Sequence, residues 1–201
     1  MNRKSWIVSD FLFAIYDSRF TIHDSRFTYK RAEHILTREL TLDLPRKTVF
    51  DFFADAGNLE RITPPELNFH ITTNQPIDIK KGILIDYQLK LRGFPVKWQT
   101  VISEWNPPHL FVDRALKSPY KQWIHRHTFT ELSENKTLIE DEVKYRLPLE
   151  PFGDLAHWFV RRELDYIFDF RQKIVSKILR QKAKGNLSTD KHRWTQIFKN
   201  N

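Results

Sequence analysis

Between Leu67 and Leu147 the chain is a succession of short stretches in which apolar and polar residues alternate. Gly, Pro or polar turns interrupt them at intervals of roughly 10 to 13 residues. Period-two alternation sends successive side chains to opposite faces, so each stretch reads as a strand with one buried face. The stretches are "LNFHITT", "GILIDYQLKLRG", "FPVKWQTVISEW", "HLFVDRAL", "YKQWIHRHTFTEL" and "KTLIEDEVKYRLP". Strands that follow one another through short turns form an antiparallel meander. A further strand, "HILTRELTLDLP", precedes them. Between it and the meander, Pro45 opens a short amphipathic helix carrying Val49, Phe52 and Phe53, with Gly57 as its expected stop. "NLERITPP" reads as a second short helical segment. From about Asp154 to Lys182 there is neither Pro nor Gly, and Val160, Leu164, Ile167, Ile174 and Ile178 form a helical stripe. The expected fold class is therefore α+β: seven antiparallel strands curved around one long C-terminal helix, with two short helices after the first strand. Such a sheet leaves space beneath the helix, and an internal cavity is expected there.

Three parts are expected along the chain. Residues 1–33 form an N-terminal extension, expected to be disordered, in which Asp-Ser-Arg-Phe-Thr occurs twice, from Asp17 and from Asp24. Two copies with one recurring apolar residue make neither a coiled coil nor a solenoid. Residues 34–183 form the domain, and residues 184–201 a basic tail. The net charge of +8 is unevenly placed: residues 1–34, 35–170 and 171–201 carry +2, −2 and +8. The body is near neutral, so no DNA partner is expected. Basic groups at a helix end are favoured by the helix dipole, and an RNA or anionic membrane partner for this end is the less favoured reading. Cysteine is absent, which excludes disulfides, thiol nucleophiles and Cys-type zinc sites and suits a reducing compartment. Arg3 and Lys4 precede an apolar run, but Ser9 and Asp10 break it; secretion is not expected, and a cytoplasmic location is. Phosphate loops, Walker motifs and G-x-S-x-G elbows are absent from the sequence.

Strand alternation assigns the inward side chains. Trp123, His125, His127 and Phe129 share one face, and Ile139, Asp141, Val143 and Tyr145 another. Pairing Phe129 with Ile139 sets His127 opposite Asp141, on the buried side. A carboxylate there needs a partner. Asp113 shares a face with Phe111 and Ala115, and Trp98 lies on a wall with Ile85, Tyr87 and Leu89. The expected ligand surface is Tyr87, Trp98, Phe111, Trp123, His125, His127, Asp141 and Tyr145. His127, Asp141, His125 and Asp113 are the candidates for acid–base chemistry. A structural His–Asp network that only pins the sheet is the competing reading. His125 and His127, two apart on a strand, could share a metal with Asp141, but their aromatic neighbours and the absence of sulfur argue against it, so neither metal nor cofactor is expected. His70, His109 and His157 read as surface residues. Of the adjacent Arg161 and Arg162, the second is expected to pair with Asp165 or Glu163.

The segments "FDFFADAGNLERITPPEL", "WNPPHLFVDRALKSPYKQWIHRHTF", "DEVKYRLP" and "FVRRELDYIFDFRQ" resemble the START-like, or SRPBCC, superfamily of helix-grip domains. In particular they resemble its polyketide cyclase/dehydrase-like and bacterial ligand-binding members. The resemblance spans residues 33–182 and implies the helix-grip fold with a cavity that binds lipids, quinones, polyketides or hormones. It implies no particular reaction. The first expectation is a module that binds an apolar or aromatic small molecule. A cyclase or dehydratase working through a buried His/Asp pair is the second, and an interaction module using the basic C-terminal helix is the third.

Overall fold

The computed structural model describes residues 33–149 and 152–183. The Asp-Ser-Arg-Phe-Thr repeat and the basic tail lie outside the described residues. Strand β1 (His34–Leu42) leads into helix α1 (Arg46–Phe53) and helix α2 (Gly57–Arg61), and a 3₁₀ turn at Pro65–Leu67 follows. Then come β2 (His70–Ile71), β3 (Leu84–Leu91), β4 (Phe94–Asn106), β5 (Leu110–Lys117), β6 (Gln122–Ser133) and β7 (Lys136–Arg146). A 3₁₀ turn at Phe152–Ala156 opens into the long helix α3 (His157–Ala183). The strands form one antiparallel sheet in the order β1-β7-β6-β5-β4-β3-β2. Each strand from β2 onward pairs with its successor, and β1 closes the far edge against β7.

Gly57 does not stop the first helix. Ala54 caps it, and Gly57 begins α2, where its N–H meets Asp55 Oδ1 at 2.9 Å. Arg92 and Gly93 link β3 and β4 in a two-residue turn with positive φ at both positions, the combination that matches the strand twist. The β6–β7 register is as read from the alternation: Phe129 faces Ile139, His127 faces Asp141 and His125 faces Val143.

The buried stripe of α3 differs from the expected one. Leu164, Phe168, Val175, Ile178 and Leu179 are buried, whereas Val160, Ile167 and Ile174 sit at its margin. Two apolar clusters result. One joins Leu42, Phe50, Phe129, Val175 and Leu179, and the other joins Leu36, Trp98, Trp123, Leu164 and Phe168.

Side chains from α3 also cover the open edge of β1. Arg161 Nη1 donates to the Ile35 carbonyl at 2.9 Å, and Gln172 Nε2 to the Glu39 carbonyl at 2.8 Å. Edge strands need such cover. Arg38 reaches back to Asp165 at 2.6 Å and Asp169 at 2.8 Å. Arg161, rather than Arg162, is the helical partner of Asp165, because four residues bring them to one face.

Burial alone would raise the Asp165 pKa, but the hydrogen bonds and charges of Arg38 and Arg161 outweigh it and hold the carboxyl below its ordinary value. A depressed folded pKa gives stability that is present above the unfolded value and lost as pH falls through the folded one. The site is half-exposed and screened. Asp165→Asn is expected to cost ~0.5–1 kcal/mol at neutral pH and nothing near pH 2. Urea unfolding at both pH values checks this.

Candidate functional site

The two apolar clusters leave a cavity of about 170 Å³ between the sheet and α3, neither sealed nor a surface groove. Phe52, Phe53, Leu59 and Ile62 from the short helices line one side. Tyr87 and Leu89 of β3, Trp98 of β4 and Trp123 of β6 line the other, with Leu164 and Phe168 of α3 above. The aromatic wall is continuous. Tyr87 stacks on Trp98 with centroids 5.9 Å apart, and Trp98 meets Trp123 edge-on at 5.3 Å. Tyr120 closes against both tryptophans. Thr100, buried on the same wall, is 3.2 Å from the Tyr87 hydroxyl and accepts from Trp98 Nε1 at 3.2 Å. Burial above all, with Asp113 adding to it, pushes the Tyr87 phenol upward, so it stays neutral.

Polar groups concentrate in one part of this wall. His125 and His127 follow one another on the inner face of β6, both buried, with ring centroids 3.8 Å apart. Phe111 stacks on His127 at 4.3 Å. Behind them, Asp141 of β7 accepts from His125 Nε2 at 3.1 Å, and its Oδ1 lies 2.7 Å from His127 Nδ1. That second approach is short but poorly aligned for a hydrogen bond. In front, Asp113 Oδ2 is 3.4 Å from His125 Nδ1 and 3.4 Å from His127 Nε2.

Burial opposes charge throughout this group, and the neighbours decide the outcome. Burial and the charge of His127 lower the His125 pKa. On His127, burial is outweighed by Asp141 and Asp113, and the pKa rises. On Asp141, burial is outweighed by both imidazoles, which hold the carboxyl far below its usual range. Of the two imidazoles, His127 is the one whose surroundings favour the charged form.

Arg171 projects from α3 into the same cavity, halfway between Phe168 and Val175 on the buried stripe. Its guanidinium carbon is 5.1 Å from the Phe168 ring centre. Its Nε is buried without a hydrogen-bond partner, and Arg171 makes no ion pair among the described residues.

An antiparallel seven-stranded sheet gripping a long helix over a cavity has counterparts among solved structures. Zhui aromatase/cyclase from Streptomyces sp. R1128 superposes with a TM-score of 0.63 at 13% identity, over 76% of this chain and 96% of that one. A START superfamily protein from Mycobacterium smegmatis gives 0.56 at 11% identity, over 72% and 99%. The chain has the START-like helix-grip fold. Norcoclaurine synthase from Thalictrum flavum, in complex with dopamine and hydroxybenzaldehyde, shares the fold as well, with a TM-score of 0.52 at 13% identity over 79% and 96%. At these identities the likeness carries the fold alone. No protein-family model and no curated protein matches the sequence.

Within the START-like domain, Tyr87, Trp98, Trp123, His125 and His127 line the cavity, as the alternation implied, and so do Phe111 and Asp113, on a strand whose alternation leaves the inward face open. Two expected ligand contacts do not. Asp141 lies behind the histidines, and Tyr145, fully buried, has its hydroxyl 3.1 Å from His157 Nε2. Both point inward, but their strand lies one step further from the cavity than β6. His157 is not a simple surface residue either, since its ring stacks on His34 at 3.7 Å.

Sequence reasoning missed Arg171, Tyr120, Thr100 and the short-helix side chains. For Arg171 a signal existed. It is the charged member of an otherwise apolar i, i+4, i+7, i+11 series running Leu164, Phe168, Arg171, Val175.

Proposed function

We propose that this START-like domain binds a small aromatic molecule bearing an acidic or carbonyl oxygen. The observation that carries the reading is Arg171, a cation whose Nε is buried and unpartnered at the edge of an aromatic-walled cavity. A buried polar group without a partner is unfavourable, typically by about 1–3 kcal/mol. A ligand oxygen there removes that penalty. A dry cavity of ~150 Å³ holds a benzene-sized molecule, so about 170 Å³ takes one ring and the open side leaves room for a second. Aromatic walls favour flat, stacked ligands. The fold neighbours named as an aromatase/cyclase and as a synthase complexed with dopamine and hydroxybenzaldehyde are consistent with aromatic guests.

Trp98 and Trp123 make binding observable through intrinsic fluorescence. 2-Naphthoate is expected to bind more tightly than 2-methylnaphthalene. Arg171→Met is expected to weaken the acid ~10–100-fold, the worth of a charge-assisted hydrogen bond of about 1.5–3 kcal/mol, and to leave the hydrocarbon unchanged. Equal affinities for acid and hydrocarbon in the wild type would defeat the reading.

The second reading is a cyclase or dehydratase. It rests on His127, a cavity-lining imidazole set between two carboxylates, which could move a proton to or from a bound carbonyl compound. In that case His127→Gln abolishes turnover while aromatic binding persists.

A further inference from the structure

Three side chains on two adjacent strands converge on one point of the cavity wall. The cross-strand register sets Asp113 of β5 against His125 and Phe111 against His127. The Asp113 carboxylate therefore reaches one nitrogen of each ring. The donor atoms, Asp113 Oδ2, His125 Nδ1 and His127 Nε2, lie within 4.8 Å of one another, and the carboxylate oxygen is 3.4 Å from each nitrogen. That separation is long for a charge-assisted hydrogen bond, which falls at about 2.7–2.9 Å. It does match the edge of a tetrahedral metal site. With metal–donor bonds of about 2.0–2.2 Å, tetrahedral donors stand roughly 3.3–3.6 Å apart.

The back of the cluster has the form that such a site needs. Asp141 faces the opposite nitrogen of each ring, His125 Nε2 at 3.1 Å and His127 Nδ1 at 2.7 Å. A carboxylate behind a ligating histidine fixes its tautomer and turns the other nitrogen's lone pair forward. Here one carboxylate oxygen stands behind both rings: it accepts from His125 Nε2 and lies 2.7 Å from His127 Nδ1, where the alignment falls short of a hydrogen bond. With a metal ion between them, two imidazole lone pairs and a carboxylate oxygen would converge on it, the metal taking the place of the proton that His127 otherwise holds against Asp113. With both imidazoles neutral, Asp113 and Asp141 bring a charge of −2, which a dication balances. Arg171 is not placed to do this, as it makes no ion pair with either carboxylate among the described residues.

We infer that Asp113, His125 and His127 bind a divalent transition metal of the zinc type, with Asp141 as the carboxylate behind both histidines, hydrogen-bonded to His125. Two imidazoles and one carboxylate are the donor set of open, three-ligand sites. All three ligands line the cavity, so the vacant position faces it. The sequence reading expects no metal and names Asp141 as the third candidate ligand. The fold supplies Asp113 in that role and moves Asp141 behind the rings, because β5 and β7 flank β6 on opposite sides.

The inference goes beyond aromatic binding and is tested without an aromatic ligand. The full chain, stripped with chelator, is titrated with cobalt(II) chloride while its visible spectrum is recorded. One equivalent is expected to bind and to give the intense d–d bands of four-coordinate cobalt, which zinc(II) then abolishes. Asp113→Asn, nearly the same shape, is expected to lose at least tenfold in affinity with an unchanged circular dichroism spectrum. Asp141→Asn is expected to lose about 10–100-fold. His70→Gln, far from the cluster, is expected to change nothing and controls for surface binding. Absence of cobalt binding, or binding that survives Asp113→Asn, would overturn the assignment. Failure here with normal naphthoate binding removes the metal site alone.

Discussion

Leu89→Trp is expected to weaken 2-naphthoate binding about 100-fold, a loss of ~2.7 kcal/mol, while the domain stays folded. Leu89 lies on the inner face of β3, is 8% exposed, and packs in the cluster that includes Trp98 and Trp123. Its side chain forms part of the cavity floor. An indole at this position has empty space ahead of it, so it extends into the volume that the ligand ring would occupy. Enlarging a residue in a filled core costs about 1–3 kcal/mol, and the void keeps the cost at the lower end here. Isothermal calorimetry separates the two effects, since stability is measured on the same sample without ligand. Unchanged affinity would mean that naphthoate binds elsewhere.

The second large effect concerns stability. Asp141→Ala is expected to destabilise the domain by about 3 kcal/mol, because it leaves two buried imidazoles facing an emptied site. Asp141 is 6% exposed and meets nitrogen atoms of both His125 and His127. Removing one member of such a group costs more than the group contributes, since the others stay buried without partners. In a domain of this size that corresponds to a fall of roughly 6–12 °C in Tm. The quadruple variant Asp113→Leu, Asp141→Leu, His125→Leu, His127→Leu replaces the whole network with apolar side chains and is expected to recover much of the loss. Thermal unfolding of the two variants checks both parts. A shift below about 1 kcal/mol in the single variant would show that the network contributes little.

Much of the domain was legible because its strands are half-buried. In β7, and in β6 as far as Phe129, every second residue is buried, and "WIHRHTF" against "IEDEVKY" sets both the inward set and the register that pairs His127 with Asp141. A one-residue slip would have put Arg126 and Glu142 inside, which desolvation forbids. The signals that misled were local. Gly57 reads equally as the end of one helix or the start of the next, and Asp55 decided it by binding the Gly57 amide. The helical stripe reads as Val160, Leu164, Ile167, Ile174 and Ile178, of which Leu164 and Ile178 are buried; Phe168, Val175 and Leu179 complete the buried face, so it is rotated by a fraction of a turn. The site was hardest to read where it depends on strand order. That Asp113 stands in front of the histidines and Asp141 behind them follows from β5 and β7 lying on either side of β6. Alternation gives the face of each side chain but not its distance from a cavity lined by β3 to β6 and not by β7. Arg171 was legible in principle, as a lone charge on an apolar stripe.

The most direct test of the central claim is a crystal structure of the full chain grown with 2-naphthoate. The expected result is a ring system beneath α3, against Trp98, Trp123 and Phe168, with its carboxylate within hydrogen-bond distance of Arg171. A cavity closed by side chains, or naphthoate bound away from Arg171 and the aromatic wall, would contradict the account.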